Sequence, residues 1–308
     1  MAAEDATETR SFSQGAGRWL GAAEVYDGAG RFKGNGQDTR HVQRDVEEGT
    51  VEVDVSFIGP FKMAGTYTIA DRGRHRLYQG PVNLGFAETL ADNLIDANAY
   101  WPDTGLSQRF FLMVLPGGDQ QLSLGLMSRG ERLHYVVVGE YHRVDEDSTQ
   151  SGLPAFVSGT EHDLGSDPTG GRGRILLHRP GTWSGELSLL DPDLNDTGAT
   201  AYVESVAGGP EGLHTTITGT GFAADGGYAL KTDGWDAWTP TGDVVGSYNM
   251  SGGRALAGHI LYHREELRVW RREVVSHDGT VKAVVHTWYR GGERLGTAHG
   301  VLTFSPDQ

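Results

Sequence analysis

The chain has 308 residues, no cysteine and a formal net charge of −15. Without cysteine there is no disulfide, no thiolate-held zinc or iron–sulfur cluster and no cysteine nucleophile. The acidic balance works against nucleic acid and anionic membrane surfaces as partners, and no apolar run approaches the ~20 residues of a membrane-spanning helix.

Residues 1–13 are polar and acidic with no apolar signal-peptide core, so they read as a disordered N-terminus of a cytoplasmic protein. Next comes Gly17-Arg18-Trp19-Leu20-Gly21, followed by Asp27: the pattern G-x-W-x-G-x₅-D. Beyond it, short apolar stretches are punctuated by glycine. Val51 to Phe57 alternates apolar and polar residues, as a half-buried antiparallel strand does. Phe86, Leu90, Leu94 and Ala97 instead have helical spacing, which predicts a short helix or lid, or else an irregular loop, over 86–100. Alternation returns at Gln121 to Leu126, after a Pro116-Gly117-Gly118-Asp119 turn.

Arg129 to Arg143 divides in strand register into two faces. One carries His134, Val136, Val138, Glu140 and His142; the other carries Leu133, Tyr135, Val137, Gly139 and Tyr141. The second set is core-like, and its tyrosines could end in a cavity. The first faces solvent or, if it points inward, makes Glu140 and His142 an acid/base pair.

Residues 148–173 lack periodicity and read as a linker. After them the chain repeats itself. Gly181-Thr182-Trp183-Ser184-Gly185, followed by Asp191, copies the first pattern at an offset of 164 residues, and Glu293-Arg294-Leu295 copies Glu131-Arg132-Leu133 at 162. Gly65-Thr66-Tyr67 is matched by Gly227-Tyr228. Two landmarks at nearly one spacing mean a duplicated domain: a first barrel over 14–147 and a second over 174–308. The fold class is all-β, two tandem antiparallel barrels. Where the copies agree, at Trp19/Trp183 and Glu131/Glu293, the residues are expected to hold a barrel shut. Where they differ, over 83–109, function is expected.

G-x-W opening a small antiparallel barrel resembles the calycin superfamily, the lipocalins and their relatives. The resemblance implies that Trp19 and Trp183 close the barrel floors, beneath an Arg of the last strand. Tandem barrels of this kind are similar to carotenoid hydratases and lipocalin-type pericyclases. Alternation from Trp19 puts Gly21, Ala23 and Val25 on its side.

Nucleotide loops, G-x-S-x-G and H-E-x-x-H are absent. His259 and His263 share a strand face but lie about 13 Å apart, too far to share a metal. No cofactor and no metal are expected. The richest stretch is Tyr78 to Arg109, with aromatics beside carboxylates and an arginine, as a pocket for a partly apolar molecule requires. The candidate catalytic residues are Glu88, Asp96, Arg109, Glu140 and His142. The candidate substrate-binding residues are Tyr78, Asn83, Tyr100, Trp101, Gln108, Tyr135, Trp238 and Trp288. The expected partner is a hydrophobic or aromatic small molecule, with an oligomer possible. The expected function is a cofactor-free lyase, isomerase or cyclase, for instance on a polyketide- or isoprenoid-like intermediate; the alternative is a non-catalytic carrier. Two or more buried ionisable groups converging in one open cavity favour the enzyme, a wholly apolar cavity favours the carrier, and the lack of any cavity above about 300 Å³ tells against both, in favour of a structural tandem barrel with filled interiors.

Overall fold

The computed structural model describes residues 12–45, 49–72, 74–80, 83–147, 176–209, 212–240 and 242–307. The expected linker lies outside the described residues. The first half is built from β1 (Gly17–Asp27), β2 (Phe32–Asp45), β3 (Thr50–Ile58), β4 (Lys62–Arg72), β5 (His75–Gln79), β6 (Leu84–Ala91), β7 (Leu94–Trp101), β8 (Leu106–Val114), β9 (Gln120–Arg129) and β10 (Arg132–Val144). The second is built from β11 (Gly181–Leu190), β12 (Asp196–Gly209), β13 (Gly212–Thr218), β14 (Gly226–Asp233), β15 (Asp236–Trp238), β16 (Val244–Asn249), β17 (Ala255–Tyr262), β18 (Leu267–Val275), β19 (Val281–Arg290) and β20 (Glu293–Pro306). Each set of ten closes as an antiparallel barrel, its last strand paired to its first. Closure leaves no sheet edge to attract another chain. Among the described residues no helix is long and apolar enough to cross a membrane.

The repeated motif is explained at both its ends. Trp19 and Trp183 are fully buried. Trp19 donates its Nε1–H to the Gly15 carbonyl at 3.0 Å, and its ladder partner on β10, Arg143, lays its guanidinium 4.3 Å over the ring. In the second barrel the ladder partner is Phe304, 4.9 Å from the Trp183 ring, and Arg179 stacks 3.4 Å over Phe304 instead. The Arg of the last strand is therefore present in one copy and replaced in the other. Asp27 and Asp191 fold the hairpin turn: Asp27 Oδ1 accepts from the Arg31 amide at 3.0 Å, and Asp191 Oδ1 from the Asn195 amide at 2.7 Å. Glu131 and Glu293 sit at exposed hairpin tips, so their shared identity marks a turn and not a closure.

The expected helix or loop over 86–100 is a β-hairpin, β6 and β7. A short turn at Asp92 and Asn93 resets the strand phase. Leu90 and Leu94, four apart, thereby fall on the same outer face of neighbouring strands, both fully buried, while Ala97 points into the barrel.

That outer face is buried because the two barrels pack wall to wall. Leu90, Leu94, Phe111, Met113, Leu122, Leu124, Val136 and Val138 of the first meet Leu190, Ala255, Val274, Ala283 and Val285 of the second in one apolar cluster. Leu122 and Leu124 thus face the other barrel, and the interleaved Ser123 and Gly125 face their own interior. The alternation in β9 is real, but its apolar side is the outside.

Candidate functional site

The first barrel encloses a cavity of about 170 Å³. Its wall is chiefly apolar, from Val51, Val53, Val55, Phe57, Ile69 and Phe110, among others. Polar groups reach it from Asp38 and Arg40 of β2, Arg76 of β5, Asn83, Gln108 of β8, Ser123 of β9 and Tyr141 of β10. Phe12, just ahead of the first strand, packs with Trp19, Leu112 and Tyr141 at the floor. Phe61, Met63, Tyr135 and Val137 pack with Trp101, Leu106 and Met127 towards the other end.

Four of the polar residues form one cluster. Arg40 Nη2 donates to Asp38 Oδ2 at 2.8 Å and to the Tyr141 hydroxyl at 2.5 Å. The Tyr141 hydroxyl donates to Asp38 Oδ2 at 2.8 Å, and Ser123 Oγ donates to Tyr141 at 3.4 Å. Asp38 and Tyr141 are almost wholly buried. Burial raises the Tyr141 phenol well above its ordinary pKa, so it stays protonated and donates. Burial works against the Arg40 charge, but the Asp38 carboxylate overturns this and holds the guanidinium ionised. β1 makes room for the ring: a Cβ on Gly21 would lie 2.2 Å from Tyr141 Cδ1.

Of the expected binding residues, Asn83, Trp101 and Gln108 line this cavity, and Trp101 Nε1 donates to Gln108 Oε1 at 3.3 Å. Tyr135 is half-buried, its ring 5.4 Å from Phe61. Tyr100 points outward and is exposed, because it follows Ala99 and precedes Trp101 on an alternating strand. The side chain of Tyr78 lies outside what is described. Trp238 is exposed on β15. Trp288 is buried in the packed core of the second barrel, 5.7 Å from Phe222 and 5.6 Å from Tyr262.

The expected catalytic residues stand outside the cavity, and the geometry corrects their placement. Glu88, Asp96, Arg109, Glu140 and His142 all project from the outer wall. Asp96 is gripped by Arg272 of the second barrel at 2.5 and 2.7 Å, with Arg109 at 3.5 Å; Arg109 and Arg272 stack on Trp270 at 4.2 and 4.0 Å. Glu88 accepts from Arg294 at 2.8 and 3.0 Å. Glu140 accepts from Arg254 at 3.0 Å, from Gln120 at 2.7 Å and from the His277 amide at 2.8 Å. His142 is half-exposed, 4.0 Å from Glu140. Glu88, Asp96, Arg109 and Glu140 thus meet side chains or backbone of the second barrel, and His142 lies on the same outer face.

The interior of the second barrel is filled differently. Glu204 and Glu273 are neutralised by Arg271 and Lys282: Arg271 lies 2.8 Å from Glu204 and 2.5 Å from Glu273, and Lys282 is 2.9 Å from each. Burial would raise the Glu273 carboxyl, but Arg271 and Lys282 carry it well below the usual carboxylate range. His286 bonds Glu273 at 2.8 Å, and Tyr228 accepts from Arg271 at 2.8 Å. Among the described residues no three His, Cys, Asp or Glu side chains gather as metal ligands do.

The alternation reading missed Asp38, Arg40 and Tyr67 as wall residues. A signal was present: Asp38, Arg40 and Val42 share one strand face, but alternation does not say which face is inward.

No protein-family model and no curated protein sequence matches the chain. Among solved structures, a protein of the DUF3598 family from Nostoc punctiforme, described as of unknown function, is similar over 97% of this chain and 99% of its own, with a TM-score of 0.59 at 12% identity. The S-type phycobiliprotein lyase CPES from Guillardia theta aligns with 44% of this chain and 90% of its own at 8% identity and a TM-score of 0.33. The redesigned β-barrel mFAP1, bound to DFHBI, aligns with 44% of this chain and 99% of its own at 15% identity and a TM-score of 0.28. The fold is two closed ten-stranded antiparallel barrels in tandem, and the likeness to the DUF3598 protein is one of fold.

Proposed function

We propose that the first barrel binds a mostly apolar small molecule in its interior and acts on it without a cofactor, as a lyase, isomerase or cyclase. The observation that carries this reading is the buried Asp38–Arg40–Tyr141 cluster on the wall of an otherwise apolar cavity. An apolar wall selects a hydrophobic ligand and excludes water, which strengthens every polar contact inside. Asp38 can accept a proton or a hydrogen bond from the ligand. Tyr141, kept protonated, can donate to an oxygen on which charge develops. Arg40 holds both in position. At about 170 Å³ the cavity is smaller than the ~300 Å³ expected of a ligand pocket, which on size alone tells against a binding role; the reading rests on the polar cluster and calls for a compact substrate. A cytoplasmic location belongs to the same proposal.

A carrier is the second reading. It is favoured by the closed bonding inside the cluster, where the single Tyr141 proton is already given to Asp38. Native mass spectrometry of the protein from its source, followed by incubation of the released ligand with fresh protein, separates the two. Turnover that disappears in Asp38→Asn and Tyr141→Phe variants supports the enzyme. A ligand recovered unchanged after prolonged incubation supports the carrier.

A further inference from the structure

Among the described residues of the first cavity, the Tyr67 hydroxyl and Asn83 Oδ1 are acceptor atoms with no hydrogen-bond partner in the protein. Both side chains line the cavity, and they are only 6% and 8% exposed. A buried polar group without a hydrogen bond is costly enough that most such groups are satisfied. The two are placed by one piece of backbone. The Tyr67 ring lies flat against Gly80, where a Cβ would fall 1.9 Å from its Cδ1. The Gly80 amide in turn donates to the Asn83 carbonyl at 2.8 Å.

The duplication supplies a control. Tyr67 matches Tyr228 in the second half, and both point into their barrels. In the second barrel the tyrosine hydroxyl accepts from Arg271 at 2.8 Å, an arginine held by Glu204 and Glu273. In the first barrel the corresponding strand β8 turns Gln108, Phe110 and Leu112 inward. The hydroxyl that one copy satisfies internally has no such partner in the other.

We infer that Tyr67 and Asn83 form an anchor for a single neutral hydroxyl on the bound molecule, which is an alcohol or phenol with an apolar body. The ligand hydroxyl accepts from the Tyr67 phenol and donates to the Asn83 carboxamide. Burial raises the Tyr67 pKa, which keeps the phenol a donor. A ketone or ether would leave Asn83 unpaired. A carboxylate would meet the Asn83 oxygen with no proton to give it; of the two arginines that line the cavity, Arg40 is paired with Asp38 and Arg76 lies 5.8 Å over the Phe12 ring. The inference rests on the first barrel being the binding site.

Fluorescence titration of the full chain with 2-naphthol, 2-methoxynaphthalene and 2-naphthoate tests it. 2-Naphthol is expected to bind about tenfold more tightly than the ether, and 2-naphthoate more weakly than both. Asn83→Leu brings the ratio of naphthol to ether close to one and leaves ether affinity within about twofold, whereas Tyr67→Phe weakens naphthol and ether alike by about tenfold and keeps their ratio, in protein whose thermal unfolding remains cooperative. Equal binding of naphthol and ether by the wild type, a ratio that survives Asn83→Leu, unchanged affinities in Tyr67→Phe, or tighter binding of naphthoate overturns the anchor alone. A Val55→Trp variant, which fills the cavity, should abolish binding of all three. Undiminished binding there, or no binding of any compound to the wild type, overturns the cavity as the site.

Discussion

Arg272 of the second barrel closes a two-pronged ion pair on Asp96 of the first, at 2.5 and 2.7 Å, with both side chains almost fully buried. Removing one member of such a pair leaves a charge without water or partner, which costs far more than the pair itself contributes. Asp96→Ala is expected to destabilise the protein by about 3–5 kcal/mol, because Arg272 and Arg109 then face each other across Trp270. The double variant Asp96→Leu/Arg272→Leu should recover most of that loss. Denaturant unfolding of the three proteins measures it; a single variant as stable as wild type would show that the pair does not hold the seam.

The same buried charges set how the protein responds to acid. Burial depresses His178 to a pKa of about 4 against an ordinary 6.5, and it depresses His286 as well. Below pH 6.5 the unfolded chain binds protons that the folded chain refuses, so stability falls with falling pH over 6.5 to 4. For His178 alone the loss is about 3 kcal/mol. Asp96, Glu204 and Glu273 are held below the ordinary carboxylate range, so their contribution is present above about pH 4 and is lost only below it. His178→Gln, which keeps a side chain able to bond Tyr248, should flatten the unfolding free energy between pH 6.5 and 4. An unchanged slope would assign the dependence to other groups.

The duplicated tryptophans should differ in their thermal signature. Truncating either plug opens a large cavity, at about 3–5 kcal/mol for Trp19→Ala or Trp183→Ala. Arg143→Met, however, removes the cation stacked on Trp19 and its bonds to the Ala16, Gln14 and Gly118 carbonyls, of which the first two tie the floor segment to β10. Calorimetry of Arg143→Met should show the first barrel melting earlier and the second unmoved. Equal shifts in both would mean that the barrels unfold as one unit.

What the amino-acid order disclosed and what it concealed follow from the range of the interactions. Trp19, Trp183, Asp27 and Asp191 act within one strand and one turn, so a repeated local pattern revealed both barrels. From Tyr135 onward the two faces of β10 alternate as the strand period predicts, and Tyr141 does reach a cavity, but the register shift between Leu133 and Tyr135 sets Leu133 against the outer cluster. The seam was hidden because its partners are distant: Asp96 and Arg272 are 176 residues apart, and nothing near Asp96 announces an arginine from another barrel. Glu88, Asp96 and Arg109 concentrated in one copy were read as chemistry, when the asymmetry comes from one wall being covered by a second domain. A strand with apolar residues on its outer face and serine and glycine inside, as in β9, inverts the usual sign of alternation, and only the packing of the barrels sets that sign.

Gly21 offers a way to disturb the polar cluster without altering any of its members. A side chain there would begin 2.2 Å from Tyr141 Cδ1, so Gly21→Val must push the ring off β1 and away from Asp38 and Arg40. Overpacking of this kind costs about 1–3 kcal/mol, which leaves the fold intact but separates the Tyr141 hydroxyl from the carboxylate it serves. If the cluster performs chemistry on a bound ligand, Gly21→Val should lose turnover by a factor close to that of Tyr141→Phe, and the double variant should be no worse than either single one, because both remove the same hydroxyl. If the losses multiply instead, Gly21 acts elsewhere, and Tyr141 is not the group through which the β1 wall is coupled to the reaction.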